Sequence, residues 1–72
     1  MRFAVVIEKS ATGYGAHVPD LPGCVAIAET EEEVRILIRE AIELHVDALR
    51  ADGQAVPTPT SRVEYIDIAS AA

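Results

Sequence analysis

The 72-residue sequence has no tryptophan, one phenylalanine and two tyrosines. Half of its residues are hydrophobic, so a core has to be filled by Val, Ile, Leu and Ala rather than by large rings. A single cysteine, Cys24, excludes an internal disulfide and a cysteine-rich zinc site, which leaves it as a small buried hydrophobe. Positive charge is scarce: 6 Lys and Arg stand against 12 Asp and Glu, a net charge of −6. Nucleic-acid binding needs cations facing phosphates, so this balance points away from it and towards a basic partner or simple solubility. No apolar run has membrane length and no signal-peptide pattern is present, so a cytoplasmic protein without membrane contact is expected. Glycine-rich phosphate loops, histidine pairs at metal spacing, nucleophile motifs and repeats are missing as well, and no cofactor is expected. The length corresponds to one domain, residues 1–72. A domain of this size buries only about 60% of its unfolded surface and is marginal alone.

What the sequence does have is concentrated in Val18-Pro19-Asp20-Leu21-Pro22-Gly23-Cys24. Each proline fixes its own φ and biases the preceding residue towards extended structure. Gly23 can take backbone angles that a Cβ forbids. A stiff corner between two strands follows, with Leu21 packing back from its tip.

Residues 2–8 read as a first strand, with Phe3, Val5 and Ile7 on one face and Ala4 and Val6 on the other. Apolar residues on both faces mark an interior strand. Residues 10–13 form a hairpin turn, and residues 14–18 a second strand with Tyr14, Ala16 and Val18 on one face and Gly15 and His17 on the other. Residues 24–29 form a third strand.

Thr30 opens a helix through a capping box with Glu33, and Glu31, Glu32 and Glu33 sit where the helix dipole favours negative charge. The acidic run is thereby explained without a metal. The helix reaches about Ala51, with Val34, Leu37, Ile38, Ala41, Ile42, Leu44, His45, Val46, Ala48 and Leu49 on one broad apolar face, and Gly53 caps its end. His45 in that sector reads as a core or interface histidine, since no acid or nucleophile is placed beside it. Residues 54–61, with Pro57 and Pro59, form an extended connection, and residues 62–69 a fourth strand carrying Val63, Tyr65, Ile66 and Ile68. The order β-β-β-α-β with a right-handed crossover predicts an α+β fold: a four-stranded mixed sheet, order 3-2-1-4, with one helix on one face.

Tyr14-x-Ala16-x-Val18-Pro19-Asp20-Leu21-Pro22-Gly23-Cys24, followed by Thr30-x-Glu32-Glu33, Glu40-Ala41-Ile42 and Gly53-x-x-Val56-Pro57-x-Pro59, resembles the HicB-like antitoxin family. The match runs from about residue 3 to residue 59. Ala28, where a glycine is common, and Leu37, where the helix often carries asparagine, depart from the family pattern and leave the fold expectation intact. The resemblance implies a truncated ribonuclease-H-like fold and a non-enzymatic module that binds a small basic, HicA-like toxin which cleaves mRNA.

Three functions compete: toxin neutralisation, a stand-alone oligomer of this fold, and a residual metal-dependent nuclease. Nucleases of that fold hold Mg²⁺ with converging carboxylates. Here Glu8 ends the first strand, and Glu40 and Asp67 imply no inward cluster, which favours a non-enzyme. For a toxin contact the expected residues are Asp20, Leu21 and Glu29 near the ends of strands two and three, with Glu40, Glu43 and Asp47 along the helix. Many relatives carry an added DNA-binding domain; with only Ser70, Ala71 and Ala72 after the expected fourth strand, and a net charge of −6, this chain is not expected to bind DNA by itself. The apolar excess on the first strand and helix predicts a homodimer or tetramer, with Val63, Tyr65 and Ile66 at the interface.

Overall fold

A computed structural model of the chain describes residues 1–69; Ser70, Ala71 and Ala72 lie outside the described residues. Three strands, β1 (Val6–Lys9), β2 (Tyr14–His17) and β3 (Val25–Ala28), are followed by one helix, α1 (Glu31–Ala51). The strands form an antiparallel meander in the order β1-β2-β3. The helix packs on β3 and β2. The core is Ala16, Val18, Leu21, Cys24, Val34, Ile38 and Val46, with Phe3, Val5, Ile7, Tyr14, Ala26, Ala28, Ala41 and Ile42 packed partly against it.

The register explains where the sheet stops. Val6 pairs with His17 and Ile7 with Ala16, so continuing the ladder would set Ala4 opposite Pro19. Proline has no N–H to give, and the chain turns away there. Strand β1 therefore starts at Val6 rather than at Arg2. At the other end, the Ser10 amide donates to the Gly13 carbonyl at 2.8 Å and closes the hairpin loop. A Cβ at Gly13 would run into the carbonyl oxygen of Ala28, so the loop lies on the end of β3 only because residue 13 has no side chain.

The corner is two successive turns. The Leu21 amide donates to the Val18 carbonyl at 3.1 Å, and the Cys24 amide to the Leu21 carbonyl at 3.0 Å. Pro22 and Gly23, the latter at φ 83°, occupy the central positions that a type II turn assigns to proline and glycine. The Val18 amide then bonds the Cys24 carbonyl at 3.2 Å and carries the ladder up to the corner. Leu21 points back into the core with 0% of its surface exposed.

The helix is bounded as its sequence requires. The Thr30 hydroxyl accepts from the Glu33 amide at 3.1 Å. At the other end, Gly53 (φ 71°) donates to Arg50 and Gln54 donates to Leu49, the paired bonds of a Schellman motif.

One expectation is overturned. The sheet has three antiparallel strands, not four in a mixed 3-2-1-4 order, and the parallel crossover that would define a ribonuclease-H-like frame is not formed among the described residues. Residues 62–69 carry no secondary structure and are exposed. Apolar alternation reports only a willingness to pair; a strand exists when a ladder partner is in place. Here residues 59–63 do lie beside residues 2–4, but that stretch precedes β1 and no backbone hydrogen bond joins the two among the described residues.

Candidate functional site

The helix divides its apolar residues between two faces. Val34, Ile38 and Val46 are buried, and Ala41, Ile42, His45 and Leu49 are half-buried on the same side. Ile36, Leu37 and Leu44 point outward, Leu44 with 71% of its surface exposed. Glu33, Glu40 and Asp47 alternate with them at spacings of three, four and seven residues, which places all six on one helical face. Among the described residues, no cation lies within ion-pair distance of Glu40 or Asp47. Glu43 lies on the flank, 3.6 Å from Arg39, and Arg35 pairs with Glu31 at 3.3 Å. The result is an apolar stripe framed by unpaired carboxylates, a surface that suits an apolar patch ringed by cations.

Of the residues expected to contact a partner, Glu40 and Asp47 share this face and Glu43 borders it. Ile36, Leu37 and Leu44 complete it; Ile36 falls outside the broad apolar face expected of the helix, whereas Leu37 and Leu44 fall within it. The remaining three lie elsewhere. Leu21 is buried and belongs to the core. Glu29 follows the far end of β3 beside the hairpin loop, so it does not cluster with Asp20 and Leu21 at the corner.

Asp20 is engaged within the chain. Its carboxylate accepts the Ser61 amide at 2.9 Å and the Thr60 amide at 3.1 Å, and the hydroxyls of Ser61 and Thr60 donate at 3.0 and 3.2 Å. The Ser61 amide is the largest influence holding the Asp20 carboxyl below its ordinary value; partial loss of water opposes it, and the Ser61 hydroxyl and the Thr60 amide and hydroxyl add to the lowering. This latch ties the start of the C-terminal segment to the corner across 40 residues of sequence. Cys24, in the core, has its thiol pushed up by burial.

Two further surfaces are open. Phe3, Val5 and Ile7 line a groove of about 510 Å³ against Ile38 and Ile42, rimmed by Arg2, Arg35, Arg39 and Glu43. On the uncovered side of the sheet, Val25 and Ile27 are exposed near His17, whose Nδ1 lies 3.9 Å from Glu8. Glu8 on that side and Glu40 on the outer side of α1 face opposite ways, so they cannot share a metal ion. Among the described residues no three His, Cys, Asp or Glu side chains group where a metal could be held. No described helix is long and apolar enough to cross a membrane.

A short sheet covered by one helix, whose outer face is apolar and acidic together, describes a small α+β module suited to contact with another protein. The chain belongs to the HicB-like antitoxins of bacterial toxin-antitoxin systems: the family model matches residues 3–70. A UPF0150 protein of Helicobacter pylori is 43% identical over 99% of this chain and 100% of its own length. Antitoxin HicB 2 of Photorhabdus laumondii is 30% identical over 89% of this chain. A protein of Haemophilus phage HP1 is 33% identical over 93% of this chain. The chain spans 46% of the Photorhabdus antitoxin and 50% of the phage protein. A solved HicA3 and HicB3 toxin-antitoxin complex contains a chain that superposes with a TM-score of 0.70 at 27% identity, covering 83% of this chain and 70% of that one.

Proposed function

We propose that this chain is the antitoxin of a toxin-antitoxin pair and neutralises a small basic toxin by laying the outer face of α1 against it. The carrying observation is the juxtaposition of exposed Leu44 with the unpaired carboxylates of Glu40 and Asp47. Family membership and the fold match to a chain of a toxin-antitoxin complex support the same reading. Apolar side chains supply the buried centre of such an interface, and the carboxylates steer the encounter. The module is non-enzymatic, works in the cytoplasm as a homo-oligomer, and at a net charge of −6 does not bind DNA by itself.

The test is the association rate with a small basic protein encoded beside it. Reversing both charges, Glu40→Lys with Asp47→Lys, lowers that rate about tenfold or more at low salt, and added salt narrows the gap. A rate insensitive to both salt and charge reversal overturns the assignment. Mg²⁺-dependent RNA cleavage by the purified chain would restore the nuclease reading, and a band shift with its own promoter DNA at physiological salt would overturn the statement on DNA.

A further inference from the structure

The chain's few cations are not spread over its surface. Arg2, Arg35 and Arg39, half of the 6 Lys and Arg, line one groove of about 510 Å³ whose floor is Phe3, Val5, Ile7, Ile38 and Ile42. A second hollow continues that groove past Ile42 to Val46 and adds Arg50. The helix sets this pattern. At about 100° per residue, Arg35, Arg39 and Arg50 fall within a sector of about 60°, beside the buried stripe and apart from the outer face that carries Glu33, Glu40 and Asp47. A chain of net charge −6 thus gathers most of its positive charge around one apolar trough. The outer face suits a basic partner, and the trough repels one. It suits an occupant that is apolar along its length and anionic at its end.

The groove has the size of a small-molecule cleft, about 300–1,000 Å³, and the lining of one, apolar with a few placed polar groups. Phe3, Val5, Ile7 and Ile42 are only half-buried, so their free surface awaits cover. The arginines at the rim already hold carboxylates. Arg35 lies 3.3 Å from Glu31, and Arg39 lies 3.6 Å from Glu43. Both pairs are exposed, and exposed pairs of this kind are weak and exchangeable. Among the described residues, Arg2 has no carboxylate within ion-pair distance. A ligand carboxylate replaces like with like, because the guanidinium fork matches its two oxygens. The displaced Glu31 and Glu43 side chains return to water, so no charge is left buried and unpaired.

We propose that this groove is a binding site for a medium-chain aliphatic carboxylate, its tail lying on Phe3, Val5, Ile7, Ile38 and Ile42 and its head between Arg35 and Arg39. The site lies beside the outer face of α1 rather than on it, so it does not depend on a toxin.

The test is a titration of the full chain with decanoate below its micelle concentration, read by calorimetry and by the methyl NMR shifts of valine and isoleucine. One saturable site is expected, with shifts at Val5, Ile7, Ile38 and Ile42 and none at Val25 and Ile27 on the uncovered sheet face. Decanol and decyltrimethylammonium carry the same tail with a neutral and a positive head, and they bind about tenfold more weakly or worse. Arg35→Gln with Arg39→Gln lowers the affinity for decanoate to that for decanol, and Lys9→Gln, at the hairpin end of β1, leaves it unchanged. All three positions are exposed, so the circular dichroism of these variants stays native. Equal affinity for decanoate and decanol overturns the proposal, and so does an affinity for decanoate that the paired arginine substitutions leave intact. Unsaturable shifts that spread to Val25 and Ile27 report adsorption on any apolar surface and overturn it. A groove already covered by a second copy or by a peptide segment gives no shift at Val5 and Ile42, which overturns it as well.

Discussion

Leu21, at the tip of the proline corner, has no exposed surface, whereas Ile68, in the C-terminal arm, keeps 80% of its surface in water. The two segments start from similar material: each follows or contains a pair of prolines, each is extended, and each is rich in aliphatic side chains. They differ in the range of the contacts that each one needs. The corner is closed by hydrogen bonds between residues three apart, and its leucine lands beside Val34 and Ile38 as soon as α1 docks. The arm requires a ladder partner that its own chain does not bring to it. Local closure is entropically cheap and long-range pairing is not, so the same composition gives a core element in one place and a free surface in the other.

The largest way to sharpen this contrast is Leu21→Ala. Removing a fully buried leucine costs about 2–5 kcal/mol, depending on how far the site collapses. Stability in a folded domain is roughly 0.05–0.15 kcal/mol per residue, so a chain this short loses a large part of its total. Urea unfolding should show the midpoint fall steeply with little change in slope; a shift under 1 kcal/mol, about the ordinary effect of a point substitution, would show the corner to be less of a keystone than its burial indicates.

Gly23→Ala comes next. A Cβ at Gly23 meets nothing within 4 Å, so the cost is that of holding alanine at φ 83°, about 1 kcal/mol. The expected midpoint shift is well below that of Leu21→Ala, and an unchanged midpoint would mean that the second turn can relax out of the left-handed region. Asp20→Asn then tests the joint between the two segments. The folded carboxyl is held below its ordinary value, so the latch is fully present above the ordinary aspartate range and is lost as pH falls through the lowered folded value. No cation stands within ion-pair distance of Asp20 among the described residues, so hydrogen bonding carries the effect. The amides of Thr60 and Ser61 should lose protection relative to their intrinsic exchange rates in acid, and exchange faster in the Asp20→Asn variant at neutral pH, with the corner amides of Leu21 and Cys24 unchanged. Equal exchange in both proteins at neutral pH would sink the latch.

What was legible in the sequence follows the same division. The corner, the Thr30 cap and the Gly53 terminus rest on rules that span a few residues, and they stand where the sequence places them. The alternation of Tyr14, Ala16 and Val18 likewise marked the covered face of β2. The fourth strand failed because periodicity carries no information about a partner. The helix face was drawn too wide for a related reason: how much of an apolar sector is consumed depends on which strands lie beneath it, and α1 covers β2 and β3, leaving Leu37 and Leu44 in solvent. The position of Glu29 could have been deduced, since a corner joining the end of β2 to the start of β3 puts the end of β3 at the opposite end of the sheet. The bonds from Thr60 and Ser61 to Asp20 could not, because nothing local in either stretch signals the other.

The smallest expected effect is the most pointed test of the arm. Ile68→Ser removes an aliphatic side chain that a reading by composition alone would place in a sheet. In that case the loss of buried area would cost about 1.5–3 kcal/mol. In the structure the residue is exposed and belongs to no element, so the single chain gives up almost nothing. Surface substitutions of this kind fall within about 0.5 kcal/mol of zero. The measurement is made at low concentration, because any pairing between copies would add a concentration-dependent stabilisation. Unfolding midpoints of the native and Ile68→Ser chains should therefore coincide at low concentration. A gap of more than 1 kcal/mol, about the typical cost of a point substitution, that is the same at every concentration would place Ile68 inside its own fold and erase the difference between arm and corner.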